Sequence, residues 1–413
     1  MHWRINLEAS PYLSEDLLIE ILARLPVQSL LRLRSVCKSW KSMIGSPEFR
    51  SLHLSTNRHS SKILLTAHER GQIRFGTPKE RHFLLNNDEN LPSDPSCLTP
   101  FDVPFQYPDW TSHQIVGSIN GLICISQSQT FFPDPDDDPA NVPIVLWNPT
   151  IQRCVFLPDP TFSLEHNVSI EIGYAATTDD YKIVVVRKVG ETTALEFHIY
   201  SLNSNAWRGG FEMCPPAARV SNEDRRIFHS TGAFLGGKMH WLVRNEHEIE
   251  GGYYEMKECM DTLYTFDVAD EVFAEVGLPE EVMAHYTVRY AVPHVAVVGD
   301  LLHVVHIVRK HLTIWVKMED AGSCDVYWKK LYRVDHVSAM FVCFLKNGEL
   351  LMDKYPTCPT TGPVGQGHGP LAAYDPRDGK FKDLEPLSLS QQRDFGIVDS
   401  RNHQQSLVLL DRT

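Results

Sequence analysis

Hydrophobic positions in the first part of the chain recur at helical spacing and form two stripes. The first stripe contains Leu13, Leu17, Leu18, Ile21, Leu22 and Leu25. This spacing predicts an amphipathic helix, which Ser14 can cap and Pro26 ends. The second stripe predicts a helix that ends at Gly45 and Pro47; it contains Leu30, Leu31, Val36, Cys37, Trp40, Met43 and Ile44. Two short helices cannot bury this much apolar surface against each other, so part of it must face the rest of the chain or another protein.

The pattern changes after a polar segment at residues 55–62. From residue 63 onward, short runs of β-branched and aromatic residues alternate with Gly, Pro, Asn and Asp, which predicts strands and turns. The first predicted strands cover residues 62–66, 72–75, 114–118 and 121–126. The last two are joined through Asn120-Gly121, a dipeptide that favours a tight hairpin turn. The polar segment is therefore expected to join a helical unit to a separate β unit.

A loose repeat is visible within the β region. Each unit has a strand, a short polar turn and a second strand, and the units cover residues 145–158, 197–208, 263–279, 314–334 and 371–386. Further strand pairs are predicted between them, within residues 170–187, 231–243, 295–306 and 342–351. Four strands in about 45 residues are typical of a β-propeller blade. The spacing predicts six blades, with seven blades or two stacked β-sandwiches as alternatives, and residues 406–411 are predicted to be a strand that closes the ring.

The helical segment resembles a known domain. Its residues LSEDLLIEILARLPVQSLLRLRSVCKSWKSMI are similar to an F-box, with Leu25-Pro26 at the hinge and a Val-Cys-Lys-x-Trp ending at residues 36–40. One departure is Leu13-Ser14, where the family has Leu-Pro, and serine can cap the helix instead. The other interpretation is an ordinary helical hairpin packed on its own core. The resemblance implies an F-box domain at residues 11–54.

The β region carries a second resemblance. The phrases VGSINGLICI, LWNPT, TDDYKIV, IYSLNSNAWR, GKMHW and YDPRDGKF are similar to the plant F-box-associated interaction domain, a kelch-related module. Gln404-Gln405 stands where that family has Tyr-x-Glu, which is a departure near the last strand. Together the two resemblances imply an α+β multidomain fold, in which a small all-α F-box is followed by an all-β propeller over residues 62–412.

These resemblances also imply a function. A protein of this type would be the substrate-recognition subunit of a Skp–cullin–F-box ubiquitin ligase. It would bind a Skp-type adaptor, and through it a cullin–RING ligase, and would hold a target protein for ubiquitination and proteasomal degradation. The residues expected to bind the adaptor are Leu13, Leu17, Leu18, Ile21, Leu25, Pro26, Leu30, Val36 and Trp40. A non-degradative scaffold or sequestering adaptor is the alternative, and a propeller enzyme is a more distant one.

The distribution of charge and the number of cysteines limit the kinds of partner and site that this protein can have. The net charge is −13; residues 1–50 contain seven Lys/Arg and five Asp/Glu and so carry +2, which leaves −15 on the rest. A basic F-box suits an acidic adaptor, whereas an acidic body argues against nucleic acid as a partner. Nine cysteines without a Cys-x-x-Cys pair indicate reduced thiols rather than disulfides or a zinc site. No apolar run has the length of a membrane span or of a signal-peptide core, so the cytoplasm, the nucleus or both are the expected location.

No catalytic motif occurs in the sequence. The patterns Gly-x-Ser-x-Gly, His-Glu-x-x-His and the P-loop are absent. The acidic segment 132–143 lacks the glycine and final glutamate of a calcium loop, and the glycine-rich segment 362–369 lacks Lys-Ser/Thr. His303 and His306 would point to opposite faces of a strand, so a shared ion with His311 is not expected. We therefore predict no catalytic residue, no metal and no cofactor.

The sequence does not identify the target protein. Tryptophans at repeated strand positions are expected to fill blade cores; they are Trp147, Trp207, Trp241, Trp315 and Trp328. The longest loops that could bind a target are residues 86–110, 132–143, 246–260 and 357–370.

Overall fold

A computed structural model of the chain describes most of its secondary structure. The described residues are 14–57, 61–69, 80–87, 98–103, 113–127, 144–160, 162, 168–188, 195–213, 225–226, 232–248, 256–283, 286–288, 293–308, 310–319, 326–337, 339–354, 371–384 and 395–409. The predicted strand at residues 72–75 and the segments 132–143 and 362–369 lie outside them.

The N-terminal part folds into four short helices, called here the helical unit: α1 (Glu15–Ala23), α2 (Val27–Leu33), α3 (Lys38–Gly45) and α4 (Pro47–Thr56). The second stripe was predicted as one helix, which is wrong. Residues 34–37 leave the helix, and Cys37 takes an extended conformation with φ −157° and ψ 166° that starts α3. Pro47 begins a further helix. An N–H group at the first helical position has no acceptor within the helix, so the N–H that proline lacks is not needed there. Ser46 caps this helix.

The remaining elements are almost all strands. Blade 1 begins with β1 (Ser61–Glu69), β2 (Glu80–Asn86) and β3 (Leu98–Phe101). Blade 2 contains β4 (His113–Ile119), β5 (Leu122–Gln127), β6 (Val145–Asn148) and β7 (Arg153–Phe156). Blade 3 contains β8 (Val168–Ala175), β9 (Asp180–Lys188), β10 (Leu195–Ser201) and β11 (Ala206–Met213).

The second half of the ring follows the same plan. Blade 4 contains β12 (Arg225–Arg226), β13 (Ala233–Leu235), β14 (Lys238–Glu248), β15 (Met256–Asp267), β16 (Val272–Val276), the short helix α5 (Glu280–Met283) and β17 (Tyr286–Val288). Blade 5 contains β18 (His294–Val298), β19 (Leu301–Val308), β20 (His311–Glu319) and β21 (Val326–Val334). Blade 6 contains β22 (Ala339–Phe344), β23 (Leu350–Lys354), β24 (Leu371–Asp375) and β25 (Lys380–Asp383). The last strand, β26 (Phe395–Gln404), returns to blade 1.

These sheets form a closed six-bladed propeller, which confirms the predicted fold and blade number. The described strands make six sheets, and the innermost strands lie beside one another around the ring. β26 pairs antiparallel with β1 and lies beside both β22 and β4, so it closes the ring. The prediction that residues 406–411 form the closing strand is wrong. Residues 406–409 instead follow β26 as a buried turn, because their apolar side chains pack against other elements.

The repeat seen in the sequence corresponds to the third and fourth strands of blades 2–6. The strand pairs predicted between the repeats correspond to the first and second strands. Asn120 and Gly121 have φ angles of 50° and 80° and join β4 to β5, as the Asn-Gly signal predicts. Local turn chemistry therefore determines much of each blade.

Two of the five strand tryptophans pack at the edge of a core and also connect neighbouring blades. Trp207 on β11 and Trp328 on β21 are only partly buried, because both strands are outermost in their blades. The Trp207 indole N–H donates to the carbonyl of Pro158 at 2.8 Å, and that of Trp328 donates to the carbonyl of Gly277 at 2.6 Å. Each acceptor follows the outermost strand of the preceding blade. The expectation of a core position holds for the other three tryptophans, which are buried: Trp147, Trp241 and Trp315.

Replacing Trp328 with Phe should weaken the contact between blades 4 and 5. Phenylalanine keeps an aromatic ring but removes the N–H that bonds the Gly277 carbonyl. Because one hydrogen bond contributes about 1 kcal/mol to stability, we expect the free energy of unfolding in urea to fall by about that amount. Tyr327→Phe, at an exposed position on the same strand, is the matched control and should leave it unchanged. Equal losses in the two variants would contradict the role of this bond.

The closing strand contains a buried histidine. His403 on β26 is 2% exposed, and its Nδ1 lies 2.9 Å from Oγ of Ser118 on β4. Burial lowers the pKa of His403 from 6.5 to about 4, and the Lys62 ammonium adds to this effect. The unfolded chain therefore binds a proton at a higher pH than the folded chain does. Ring closure should consequently be most stable above pH 6.5 and should lose stability as the pH falls towards 4.

The variant His403→Asn should show a weaker pH dependence of stability. Asparagine can still bond Ser118 but gains no proton between about pH 7 and pH 4.5. We expect a smaller decrease in the urea unfolding free energy across this range than in the native protein. Part of the decrease should remain, because burial also lowers the pKa of His240 to about 4. A slope equal to that of the native protein and of the exposed control His336→Asn would contradict the assignment to His403.

Candidate functional site

Helix α1 begins where the sequence predicts. The Ser14 side chain accepts a hydrogen bond from the backbone N–H of Leu17 at 3.3 Å, and Glu15 and Asp16 lie in the first turn. The hydroxyl satisfies an N–H that has no partner within the helix, and the carboxylates favour the positive end of the helix dipole. Serine therefore starts this helix without the help of a proline.

Helix α1 has one buried face and one exposed face. Leu22 is buried, and Leu18 and Leu25 pack against the same interior. Leu17 and Ile21 lie one helical turn apart and are 50% and 48% exposed. Such a pair of large apolar side chains on one helix face is typical of a protein-binding surface.

The turn between α2 and α3 exposes a third apolar side chain. Val36 is 61% exposed, more than any other large apolar side chain of the described residues. Its backbone N–H donates to the carbonyl of Leu33 at 3.1 Å, which holds the turn against the end of α2. Cys37 then caps α3, since its Sγ accepts from the N–H of Trp40 at 3.5 Å. Val36 is thus held in an exposed position by an ordered turn.

The structure divides the predicted adaptor-binding residues into groups. Four are exposed: Leu17, Ile21, Pro26 and Val36. Three are partly buried and pack against the interior of the helical unit: Leu18, Leu25 and Trp40. Leu30 is 0% exposed because α2 turns it into that interior, so its assignment to the surface set is corrected to internal core. Leu13 lies outside the described residues.

The surface around these residues is basic. Arg24, Arg32 and other cations are exposed on the first three helices. A shallow depression on α3 and its flanks is lined by Arg34, Lys38, Lys41, Ser42, Gly45 and Ser46. A surface of this charge favours an acidic partner, because complementary charge speeds association and excludes wrong partners.

Helix α4 fixes the C-terminal end of α1. The buried His53 donates from Nε2 to the carbonyl of Leu25 at 3.0 Å, and burial lowers the pKa of its imidazole. Asn57 donates from Nδ2 to the carbonyl of Ala23 at 2.8 Å. These bonds satisfy carbonyls that a helix end leaves without partners. The exposed pair on α1 is therefore held on a well-anchored helix.

The helical unit is docked on the propeller. The Gln28 side chain donates to the carbonyl of Thr150, in the turn between β6 and β7, at 3.0 Å. Gln404, at the end of β26, donates to the carbonyl of Leu54 on α4 at 2.9 Å. Leu407 belongs to the core of the helical unit itself. The helical unit and the propeller are thus joined by direct contacts as well as by the polar segment 55–62. The sequence did not predict these contacts.

The comparison with known proteins follows this division. Residues 11–52 match the family model of the F-box domain, and residues 110–357 match that of the F-box associated beta propeller domain. The chain belongs to the F-box associated propeller family. The helical unit is accordingly called the F-box below.

Curated relatives are F-box proteins by name. An F-box protein of Arabidopsis thaliana is 27% identical over 342 residues, which cover 80% of this chain and 81% of that protein. Another from the same plant is 24% identical over 417 residues, which cover 90% of this chain and 87% of that protein. An F-box/kelch-repeat protein of A. thaliana is 28% identical and covers 64% of this chain and 65% of its own length. The predicted family is confirmed.

The F-box occupies one face of the propeller. Because strands within a blade are antiparallel, the turns between its first and second strands and between its third and fourth lie on one face. Thr150 lies in such a turn, so the F-box sits on this face. Apart from residues 87–97 in blade 1, these turns are short, as at residues 120–121 and 299–300. On the opposite face, the described strand ends are separated by much longer stretches of sequence, such as residues 128–144 and 355–370.

The predicted target loops are distributed unevenly between the two faces. Three of them join second to third strands in the sequence, and the described ends of those strands lie on the face opposite the F-box: residues 132–143, 246–260 and 357–370, of which the first and the last lie outside the described residues. The strands β14 and β15 extend to Glu248 and from Met256, so the second of these loops is shorter than predicted. The predicted loop 86–110 contains β3 and is not a single loop.

Metal binding and membrane insertion are two alternative roles that the described residues can be tested for. Within the described ranges, no group of three His, Cys, Asp or Glu side chains is arranged to hold a metal ion. His303 and His306 are buried in β19, whereas His311 is exposed and lies 2.6 Å from Asp335. No helix among the described residues is long and apolar enough to cross a membrane. The exposed apolar residues of the F-box remain the strongest candidate site.

Proposed function

We propose that the protein is the substrate-recognition subunit of a Skp–cullin–F-box ubiquitin ligase. An F-box joined to a propeller fits such a receptor in general, since F-box domains typically bind a Skp-type adaptor and the propeller binds targets. The observation that carries the proposal is the exposed pair Leu17 and Ile21 within a segment that matches the F-box model. A target held by the propeller would be ubiquitinated and then degraded by the proteasome.

The adaptor would cover the exposed apolar residues of the F-box. Complete burial of a side chain of this size contributes about 1.5–3 kcal/mol, so covering the exposed halves of Leu17, Ile21 and Val36 can supply about half of that for each. Pro26 and the outer parts of Leu18, Leu25 and Trp40 would complete the contact. The surrounding cations would orient an acidic adaptor.

The target would bind on the propeller face opposite the F-box. The long connections of that face support this proposal, because binding residues are concentrated in loops that a rigid scaffold positions. The connection 128–144 contains four aspartates, Asp134, Asp136, Asp137 and Asp138, and no Lys or Arg. Its charge favours a basic target. A target on this side would point away from the adaptor, on which the rest of the ligase assembles.

Such a receptor would act through proximity alone. F-box proteins with a propeller are typically non-enzymatic adaptors. Holding the target near the ubiquitin-loaded enzyme raises the effective concentration of its lysine side chains. The protein itself would form and break no covalent bond, and it would need no cofactor.

Reconstitution tests this proposal. We expect the full chain to co-elute with a purified Skp-type adaptor, cullin and RING subunit as one complex in size-exclusion chromatography. Absence of adaptor binding would refute it. Proteins captured by the chain in cells should accumulate when the proteasome is inhibited; targets whose levels do not respond would indicate a non-degradative scaffold. Imaging of a fluorescent fusion would test the proposed location in the cytoplasm, the nucleus or both.

A further inference from the structure

A short segment that follows the last strand lies between the two domains. Residues 404–409, called here the C-terminal clamp, follow the ring-closing strand β26. Leu407 is 1% exposed and packs in the F-box core with Leu30, Ile44 and Phe49. Val408 and Leu409 are also buried, but they pack in the core between blades 2 and 3. Three consecutive apolar residues thus complete two different cores.

A buried asparagine holds the clamp in place. Asn148, at the end of β6, is 0% exposed. Its Nδ2 lies within hydrogen-bond distance of the carbonyls of Ser406 and Val408, at 3.2 and 2.9 Å, and of Ser406 Oγ at 3.1 Å. A side-chain amide with this many acceptors fixes the path of the clamp, because leaving such buried groups without partners is costly.

The same asparagine connects the clamp to the F-box. Its Oδ1 accepts from the backbone N–H of Thr150 at 3.0 Å, and the Thr150 carbonyl accepts from Gln28 of α2 at 3.0 Å. On the other side of the clamp, Gln404 donates to the carbonyl of Leu54 on α4. Leu54 also packs against the core between blades 2 and 3. The F-box is therefore attached at two of its helices.

The clamp also fits tightly against the hairpin turn of blade 2. A Cβ atom at Gly121 would lie 2.3 Å from Oγ of Ser406 and 2.6 Å from the carbonyl oxygen of Gln404. Real Cβ atoms essentially never come this close to other heavy atoms. The clamp thus has no room to shift towards blade 2.

We propose that the C-terminal clamp fixes the direction of the F-box relative to the propeller, with Asn148, Leu407, Gln28 and Gln404 as positioning residues. Because the clamp continues directly from β26, the F-box docks in this position only when β26 closes the propeller ring. In a ligase receptor, the angle between the domains decides where target lysines lie relative to the ubiquitin-loaded enzyme. That last consequence rests on the proposed function, whereas the clamp itself does not.

A distance measurement on the full chain tests the clamp. Two spin labels, introduced as non-canonical amino acids at the exposed positions Glu20 in α1 and Asp378 in blade 6, report the domain orientation. We expect one narrow distance distribution for the native chain and a broad one for Leu407→Asp. The matched control Leu301→Asp, at the exposed first position of β19, should keep the narrow distribution. A narrow, native distribution in Leu407→Asp would overturn the proposal.

A milder variant covers the case in which Leu407→Asp does not fold. The double variant Gln28→Ala/Gln404→Ala removes two hydrogen bonds between the domains and leaves every core side chain in place. We expect a broader distance distribution and about five-fold faster amide hydrogen exchange in α1–α4, with unchanged exchange in β9 and β19. Native values for both measurements would overturn the proposal.

Two further measurements separate the clamp from the proposed function. The double variant should bind adaptor and target with native affinity but should transfer ubiquitin to the bound target more slowly. An unchanged transfer rate despite the broader distribution would refute the positioning role of these residues. Failure of the native chain to bind any adaptor would refute the ligase function and leave the distance result valid.

Discussion

Replacing Leu17 and Ile21 together with Asp should weaken binding of a Skp-type adaptor by more than about 100-fold. Both side chains are half exposed on one face of α1, so covering the exposed half of each contributes about 0.8–1.5 kcal/mol. Aspartate removes this contribution and adds a charge that the interface would have to desolvate. Isothermal titration calorimetry with the purified adaptor measures the change in affinity.

The same substitutions should leave the fold intact. Leu17 and Ile21 point away from the F-box core, which Leu22 and its neighbours form on the other side of α1. The urea unfolding transition should therefore stay within about 0.5 kcal/mol of the native value. Leu301→Asp, the matched exposed change in blade 5, should affect neither stability nor adaptor affinity. Native adaptor affinity in the double variant would show that the adaptor does not use this face of α1.

The variant Gly121→Ala should cause a large loss of stability from a single added methyl group. Gly121 has a φ of +80°, a conformation that costs a residue with a side chain about 1–3 kcal/mol. The added Cβ would also collide with Ser406 and the backbone of Gln404, and displacing packed atoms costs about 1–3 kcal/mol more. We expect the free energy of unfolding in urea to fall by about 2–5 kcal/mol.

Gly299 provides the control for this variant. It occupies the equivalent turn between the first two strands of blade 5, with a φ of +60°, and no atom lies within 4 Å of the position that its Cβ would take. Gly299→Ala should therefore lose only the conformational part, about 1–3 kcal/mol. Gly121→Ala alone should also speed amide exchange in α1–α4, because it displaces the C-terminal clamp. Equal losses in the two variants, with native exchange in the F-box, would contradict the tight fit at Ser406.

Features that depend on neighbouring residues could be predicted from the sequence. Ser14 caps α1 through a bond to a residue three positions away, and the turn at Asn120 and Gly121 needs only two positive φ angles. The paired strands of each repeat are close in sequence and joined by short turns. These signals were sufficient for the helical unit, the propeller and its six blades, whereas the F-box assignment came from the family resemblance.

Predictions failed where distant residues decide the structure. Leu30 carries the same apolar pattern as exposed Val36, and only the packing of α2 against the other helices separates core from surface. Trp207 and Trp328 follow the same pattern as the buried tryptophans, but they lie on outermost strands and pack only at the edge of a core. Hydrophobic spacing alone does not contain this information, because it does not state which other element covers a face.

The sequence by itself determined the two domains, their order and the apolar helix that the family resemblance assigns to an adaptor. The tertiary structure alone decided how the domains are joined. The strand that closes the ring pairs residues more than 300 positions apart, and the contact between Asn148 and Ser406 spans 258 positions. Such contacts form only after the whole chain has folded. For that reason, the sequence predicted a simple strand at residues 406–411, whereas in the structure residues 404–409 form the C-terminal clamp against which the F-box docks.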